Sequence, residues 1–242
     1  MIKFFRHIRR NLMETGETGK YLKYAIGEIV LVVIGILIAL SINNWNEQKK
    51  LKIQEVELLN YALENIKRDS ILITDVLDEL GDIMNVHKDL IAVVNNEKKP
   101  EDVKHINLIR RSFPNKAVTK KNNPDLTKQI LDINLKKELL EYFLVMDKTE
   151  FVTDGHNILI EEKLRAFLGD HELLNYGSQF TAFTDEVNLI NTERFFKELN
   201  NSKLQQVLFE AGVKLNTMKI NYEEFKIQNR HLKNVMKTYL KK

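Results

Sequence analysis

The chain has 242 residues, no Cys and a formal net charge of only +3. Without Cys it can form neither a disulfide framework nor a thiolate metal site. The excess charge sits at the start: Lys3, Arg6, Arg9, Arg10, Lys20 and Lys23 precede the first long apolar run against Glu14 and Glu17, while the residues beyond that run are balanced. The basic face that nucleic-acid binding needs is absent, so no nucleic-acid partner is expected.

Residues 1–13 place Phe5, Ile8 and Leu12 on one helical face and Arg6, Arg9 and Arg10 mostly on the other. A short basic amphipathic helix lies in a membrane interface with its apolar side down. Lys3, Arg6, Arg9 and Arg10 are therefore expected to contact lipid headgroups. Glu14–Gly19, with two glycines, reads as the connecting loop. Residues 1–20 form the predicted cytoplasmic segment.

From Ala25 to Ile42 every residue is apolar or small except Glu28 and Ser41. At ~1.5 Å per residue this run covers roughly 27 Å as a helix, close to the ~30 Å of a bilayer's hydrocarbon core. A membrane-spanning helix is predicted at 21–45. Tyr21 and Tyr24 at one end and Trp45 at the other supply the aromatic interface anchors. The Lys and Arg bias before the span directs the N-terminus to the cytoplasm and the long remainder outward. In a bacterium this means an inner-membrane, single-pass protein with a periplasmic domain at 46–242. A cleaved signal peptide is the rival, since Ala39-Leu40-Ser41 has the small-x-small form of a cleavage site. The apolar run is long for a signal peptide, which favours the intact span.

Glu28 shares a helical face with Val32, Gly35 and Ala39. Gly35-x-x-x-Ala39 is a small-xxx-small pair that lets a second helix approach closely. This face is the predicted packing surface for another copy of the chain or another membrane protein. Glu28 is either an inter-helix or proton-responsive carboxylate, or a juxtamembrane acid that reaches headgroup water.

Between Asn46 and Asn95 there is no Pro and only Gly81, so one helix is expected to leave the membrane uninterrupted. Leu59, Leu63, Ile66, Ile73, Leu77, Leu80, Met84, Ile91 and Val94 keep a 4-3 register broken by Ser70 and His87, and Leu72, Val76, Ile83 and Leu90 form a second row. A face this wide belongs to a helix buried among others. His87 reads as a partly buried, hydrogen-bonded core residue, with a pH switch or ligand contact as the alternative. Residues 95–125 hold all three prolines and read as a long loop. Asn123-Pro124-Asp125 is expected to start a helix at Asp125–Leu131, and Asn134 to cap Leu135–Met146. Asp147–Leu168 is less periodic, with Gly155 as a break, and Gly169–Thr184 reads as a loop. Thr184 is expected to cap Asp185–Leu199, and Ser202-x-x-Gln205 to form a capping box for the last helix. In that helix Leu204, Leu208, Ala211, Leu215, Met218, Tyr222, Phe225, Asn229, Leu232, Met236 and Tyr239 alternate four and three without a slip. Asn229, its one polar member, either fixes register in the seam or is solvated.

No Gly-rich phosphate loop, nucleophile elbow or His-Glu-x-x-His is present, and no helix carries the Glu-x-x-His pairs of a di-metal site. Neither metal, cofactor nor catalytic residue is assigned. The run Lys20–Glu47, KYLKYAIGEIVLVVIGILIALSINNWNE, together with the basic start MIKFFRHIRR, resembles an uncharacterised family of single-pass membrane proteins from flavobacteria and other Bacteroidota, a domain of unknown function. The resemblance is close over roughly the first 50 residues and loose beyond. It implies location and topology, includes Glu28 in its Ala-Ile-Gly-Glu-Ile pattern, and supplies no activity. The expected architecture is all-α: one membrane helix continuing into an antiparallel bundle or coiled-coil-like ectodomain. The expected role is a membrane-anchored structural or interaction protein and not an enzyme. The alternatives are a sensory or ligand-binding ectodomain acting through a membrane partner, and a single-span subunit of an ion-coupled complex using Glu28.

Overall fold

A computed structural model describes Arg10 and residues 18–178 and 189–241 of the chain. The fold is all-α; among the described residues the only β pairing is an isolated bridge between Leu174 and Ile190. The chain divides into two compact units, Met1–Glu55 and Val56–Lys242.

The first helix, α1, runs without interruption from Thr18 to Val94, 77 residues. It contains no proline and few glycines, so nothing halts propagation once it is nucleated. Thr18 and Gly19, expected in a loop, already belong to it. The amphipathic helix expected at 1–13 and the rest of its connecting loop lie outside the described residues, apart from Arg10. The helix stops where Asn96 turns left-handed at φ 61°, a conformation that Asn tolerates better than most residues. The amides of Glu97 and Lys98 then close onto the Ala92 carbonyl at 2.8 and 3.2 Å.

The second unit packs the Val56–Val94 part of α1 with two further long helices, α4 (Ile133–Leu159) and α7 (Ser202–Tyr239). Pairing of His231 with Glu138 at 2.8 Å and of Lys148 with Glu224 at 2.9 Å shows α4 and α7 running antiparallel. Leu59, Ile66, Ile73 and Leu80 share one core with Leu139, Tyr142, Phe225 and Leu232. A second core joins Val86 and Leu90 to Ile160, Leu164, Phe195 and Leu204.

Along α1 the buried row changes. Leu59, Ile66, Ile73 and Leu80 are inside, yet Ile91, seven residues spaced from Met84, is 61% exposed; Val76, Ile83 and Leu90 replace the first row. A 3.6-residue helix drifts ~20° per heptad against a strict seven-residue pattern. The first row therefore rotates out of the core toward its end and the second rotates in. The seam of α7 stays inside from Leu204 to Met236, and only Tyr239 is partly exposed.

Several predicted boundaries are corrected. Asp132, and not Asn134, caps α4, its side chain accepting from the amides of Asn134 and Leu135 at 2.9 Å each. The helix passes through Gly155 and continues by a π-turn, Ile160–Leu164, into α5, Arg165–Asp170. The wide turn resets the helical phase, which is why Asp147–Leu168 loses its periodicity. Within the stretch expected to be helical from Asp185 to Leu199, Asn191 caps α6, Thr192–Glu198; Thr184 and Asp185 lie outside the described residues. Asn201 caps α7 by accepting from the Lys203 amide, while Gln205 bonds back to the Leu199 carbonyl, so no capping box forms at Ser202.

The segment 95–125 contains two 3-10 turns, Pro100–Asp102 and Ile106–Arg110, and a short helix α2, Thr119–Asn122. Asn123 closes α2 with its side chain on the Thr119 carbonyl at 2.7 Å, and the next helix, α3, covers only Leu126–Gln129. The segment buries Ile106, Ile109 and Phe113. It is held from α4 and α5. The Asn157 amide both accepts from and donates to the Phe113 backbone at 2.8 and 2.9 Å, and Arg165 donates to the Arg110 carbonyl at 2.8 Å.

Its anchor on α1 is Asp69, 1% exposed. The carboxylate accepts from the Val118 amide at 2.6 Å, from the Thr119 amide at 3.3 Å and hydroxyl at 2.5 Å, and from the Tyr142 hydroxyl at 2.9 Å. Asn229 of α7 donates to the Tyr142 oxygen at 3.0 Å and to the Ile66 carbonyl at 2.9 Å. Asn229 is thus a buried cross-link and not a solvated end. Burial and the neighbouring Asp69 push the Tyr142 hydroxyl far above its ordinary range, so it keeps its proton and donates. Replacing Asp69 by Ala strands two amides and two hydroxyls. Asp69→Ala is expected to cost about 3 kcal/mol and Tyr142→Phe about 1 kcal/mol in chemical denaturation; a loss below about 0.5 kcal/mol for Asp69→Ala, the range of ordinary surface substitutions, would refute the cross-link.

Candidate functional site

Two regions stand apart from the packed cores. The first lies on α1 within the first unit. One 18-residue window beginning the helix has mean hydropathy 2.8 and none of it is buried. This is the one helix among the described residues long and apolar enough to cross a membrane. Val32, Gly35 and Ala39 are exposed on it and Glu28 is half-exposed. A Cβ built on Gly35 meets nothing within 4 Å, so the face is open to a close neighbour. Tyr24 and Trp45 are exposed at the two ends of the run, and the Lys49 ammonium lies 5.5 Å from the Trp45 ring centre. Arg10 is exposed. Lys3, Arg6, Arg9 and the side chain of Tyr21 lie outside the described residues.

The second region is a cleft in the second unit, between the end of α1 and the first half of α7. Its volume is about 570 Å³, within the size range of small-molecule sites. The apolar walls come from Met84, Ile91 and Val94 on α1 and Leu208, Phe209 and Val213 on α7. Ile91 and Val94 are the members of the first row that the helical drift turns out of the core, while Met84, half-buried, still packs against it. Gln205, Asn216, Thr217 and Lys88 add polar atoms around it.

His87 also lines the cleft, 9% exposed. Its Nε2 is buried and has no hydrogen-bond partner among the described residues, which departs from the hydrogen-bonded core histidine expected at this position. Gly212 faces the ring: a Cβ there would stand 3.9 Å from His87 Nδ1. Burial, and next His156, lower the His87 pKa from 6.5 to about 4, so the imidazole is neutral at physiological pH. Burial also lowers His156, against the opposing hydrogen bond of its Nε2 to the Arg111 carbonyl at 3.2 Å.

No group of three or more His, Cys, Asp or Glu among the described residues is arranged to hold a metal ion. The cleft offers apolar contact and a neutral hydrogen-bonding group, which suits binding. The sequence singled out His87 but could not place it at a cleft, because the opposing wall, Gly212 included, comes from more than a hundred residues away in the chain.

Below pH 6.5 the unfolded chain takes up a proton at position 87 that the folded chain refuses until about pH 4. Stability is therefore complete above pH 6.5 and falls as pH drops through that window, by up to about 1.4 kcal/mol per pH unit. Denaturation between pH 7 and 5 is expected to show this slope in the wild type and a shallower one in His87→Phe; equal slopes would contradict a buried neutral imidazole.

No curated protein and no solved structure matches the chain. Residues 28–130, which take in Glu28, the rest of α1 and the segment anchored by Asp69, match the model of a family of unknown function, DUF6090.

Proposed function

We propose that the protein is a single-pass, membrane-anchored interaction protein with a non-catalytic helical domain. The observation that carries this is the exposed apolar window of α1, hydropathy 2.8 with no buried share. A helix that is apolar all round needs either a protein core or lipid. This stretch has no core around it, which argues against a soluble core helix. The Lys and Arg bias before the span favours a cytoplasmic N-terminus and a domain on the other side, the periplasm in a flavobacterial cell. The open face of Glu28, Val32, Gly35 and Ala39 is the surface offered to a second copy or another membrane protein. A second reading has the helical domain bind a small ligand and pass the event to a membrane partner; the cleft at His87 supports it.

The full chain is expected to stay in the membrane pellet after alkaline carbonate washing, and its helical domain to become protease-sensitive once the outer membrane is opened. Release into the soluble fraction with an N-terminus near Ile42 would replace the anchor by a cleaved signal sequence. For the packing face, cysteines introduced at Gly35 and Ala39 are expected to crosslink to a partner in native membranes, while a control at Ile36 is not. Equal crosslinking at all three positions would remove that face from the proposal.

A further inference from the structure

The cleft between α1 and α7 combines three features that a packing defect would not bring together. Its walls are large aliphatic and aromatic side chains left substantially exposed, Ile91 at 61% and Phe209 at 64%. Such surface is ordinarily covered, since each buried side chain of this size is worth about 1.5–3 kcal/mol. It also holds the imidazole of His87, 9% exposed, with Nδ1 beside Gly212 and Nε2 buried without a hydrogen-bond partner among the described residues. Leaving such a group without a hydrogen bond is costly, so buried polar atoms of this kind call for a partner. Finally, Gly212 sits inside a 38-residue helix, where Gly costs about 1 kcal/mol relative to Ala. A Cβ there would reach 3.9 Å from His87 Nδ1, so Ala fits and a longer side chain would cover that nitrogen.

We infer that this cleft binds an uncharged amphipathic small molecule, an aliphatic body carrying a hydroxyl, with the hydroxyl on His87 Nδ1, the ring nitrogen beside Gly212, and the chain against Met84, Ile91, Leu208, Phe209 and Val213. The inference deepens the ligand-binding reading and is independent of the membrane anchor. A hydroxyl can donate or accept, so it satisfies either tautomer of a neutral imidazole. A carboxylate is disfavoured because it would lose its hydration beside a neutral ring. The one cation lining the cleft, Lys88, is exposed, where an ion pair is worth little. Gln205, Asn216 and Thr217 sit on α7 where the cleft meets water and need no buried charge.

The test uses the full chain in phosphatidylcholine nanodiscs, photolabelled with a diazirine-bearing decanol and with the matching decanoate, and labelled residues are mapped by mass spectrometry. Labelling of the apolar run 25–42 reports how each probe enters the lipid and serves as the reference. The alcohol is expected to label Met84, Ile91, Phe209 or Val213, and unlabelled decanol to compete where decane does not. His87→Phe, which keeps an aromatic ring but removes the nitrogen, is expected to lower that label about tenfold, the weight of one buried hydrogen bond. Gly212→Leu is expected to abolish it by filling the space, and Gly212→Ala to retain it. Helical content and Tm of each variant show whether it folds; Gly212→Ala is expected to be at least as stable as the wild type, so one cleft variant remains informative if another unfolds. Label spread equally over Ile220 and Ile227, exposed on α7 away from the cleft, would overturn the inference. So would an alcohol label indifferent to a folded His87→Phe. Cleft labelling by decanoate in place of decanol would overturn the hydroxyl class and leave ligand binding standing, whereas no cleft label with either probe would overturn both.

Discussion

The second unit depends on one buried carboxylate. Asp69 sits on α1 and receives hydrogen bonds from the backbone and hydroxyl at the start of α2 and from Tyr142 on α4. Asn229 on α7 completes the network through the Tyr142 oxygen. Removing a carboxylate from water costs several kcal/mol, and only a full set of donors offsets that cost. Apolar contacts alone would let three helices slide by a turn with modest loss. The polar network specifies register: the four donor groups meet the carboxylate only when α1, α4 and the 95–125 segment are in place, and Asn229 ties in α7 through the Tyr142 oxygen and the Ile66 carbonyl.

Elsewhere the same unit leaves polar atoms without partners. His87 Nε2 and His156 Nδ1 are buried and have no hydrogen-bond partner among the described residues. His87 lies between Val86 and Leu90 of the second core, whereas the His156 ring stands 5.8 Å from that of Phe113 in the first. The contrast is physical. The Asp69 carboxylate meets four donors, whereas the His87 region combines open apolar surface with an unfilled hydrogen-bonding position, the composition of a binding cleft.

Long regular features were legible in the sequence. The uninterrupted α1, the seam of α7 and the all-α class follow from periodicity and the lack of breakers, since local hydrogen bonding and one apolar stripe suffice to specify a helix. Helix starts were less legible. Asp132 and Asn201 cap where Asn134 and Ser202 were expected, because several capping residues stand side by side and tertiary packing selects among them. The segment 95–125, with its prolines, read as a long loop; it is ordered by Asp69, Asn157 and Arg165, whose partners are 44 to 55 residues away and leave no local trace. Of the candidate residues, the face from Glu28 to Ala39 followed from helical spacing alone, whereas the cleft did not.

By itself the sequence determined which stretches are helical, where the apolar run suited to lipid lies, and which residues share a face on each helix. These depend on neighbours three and four residues apart, which any reader of the chain can count. Only the tertiary structure decided which member of each row is buried and which is turned outward. Helical drift and the docking of α7 move Ile91 and Val94 out of the core and set Gly212 beside His87. That juxtaposition is a property of two helices together, and no single helix encodes it.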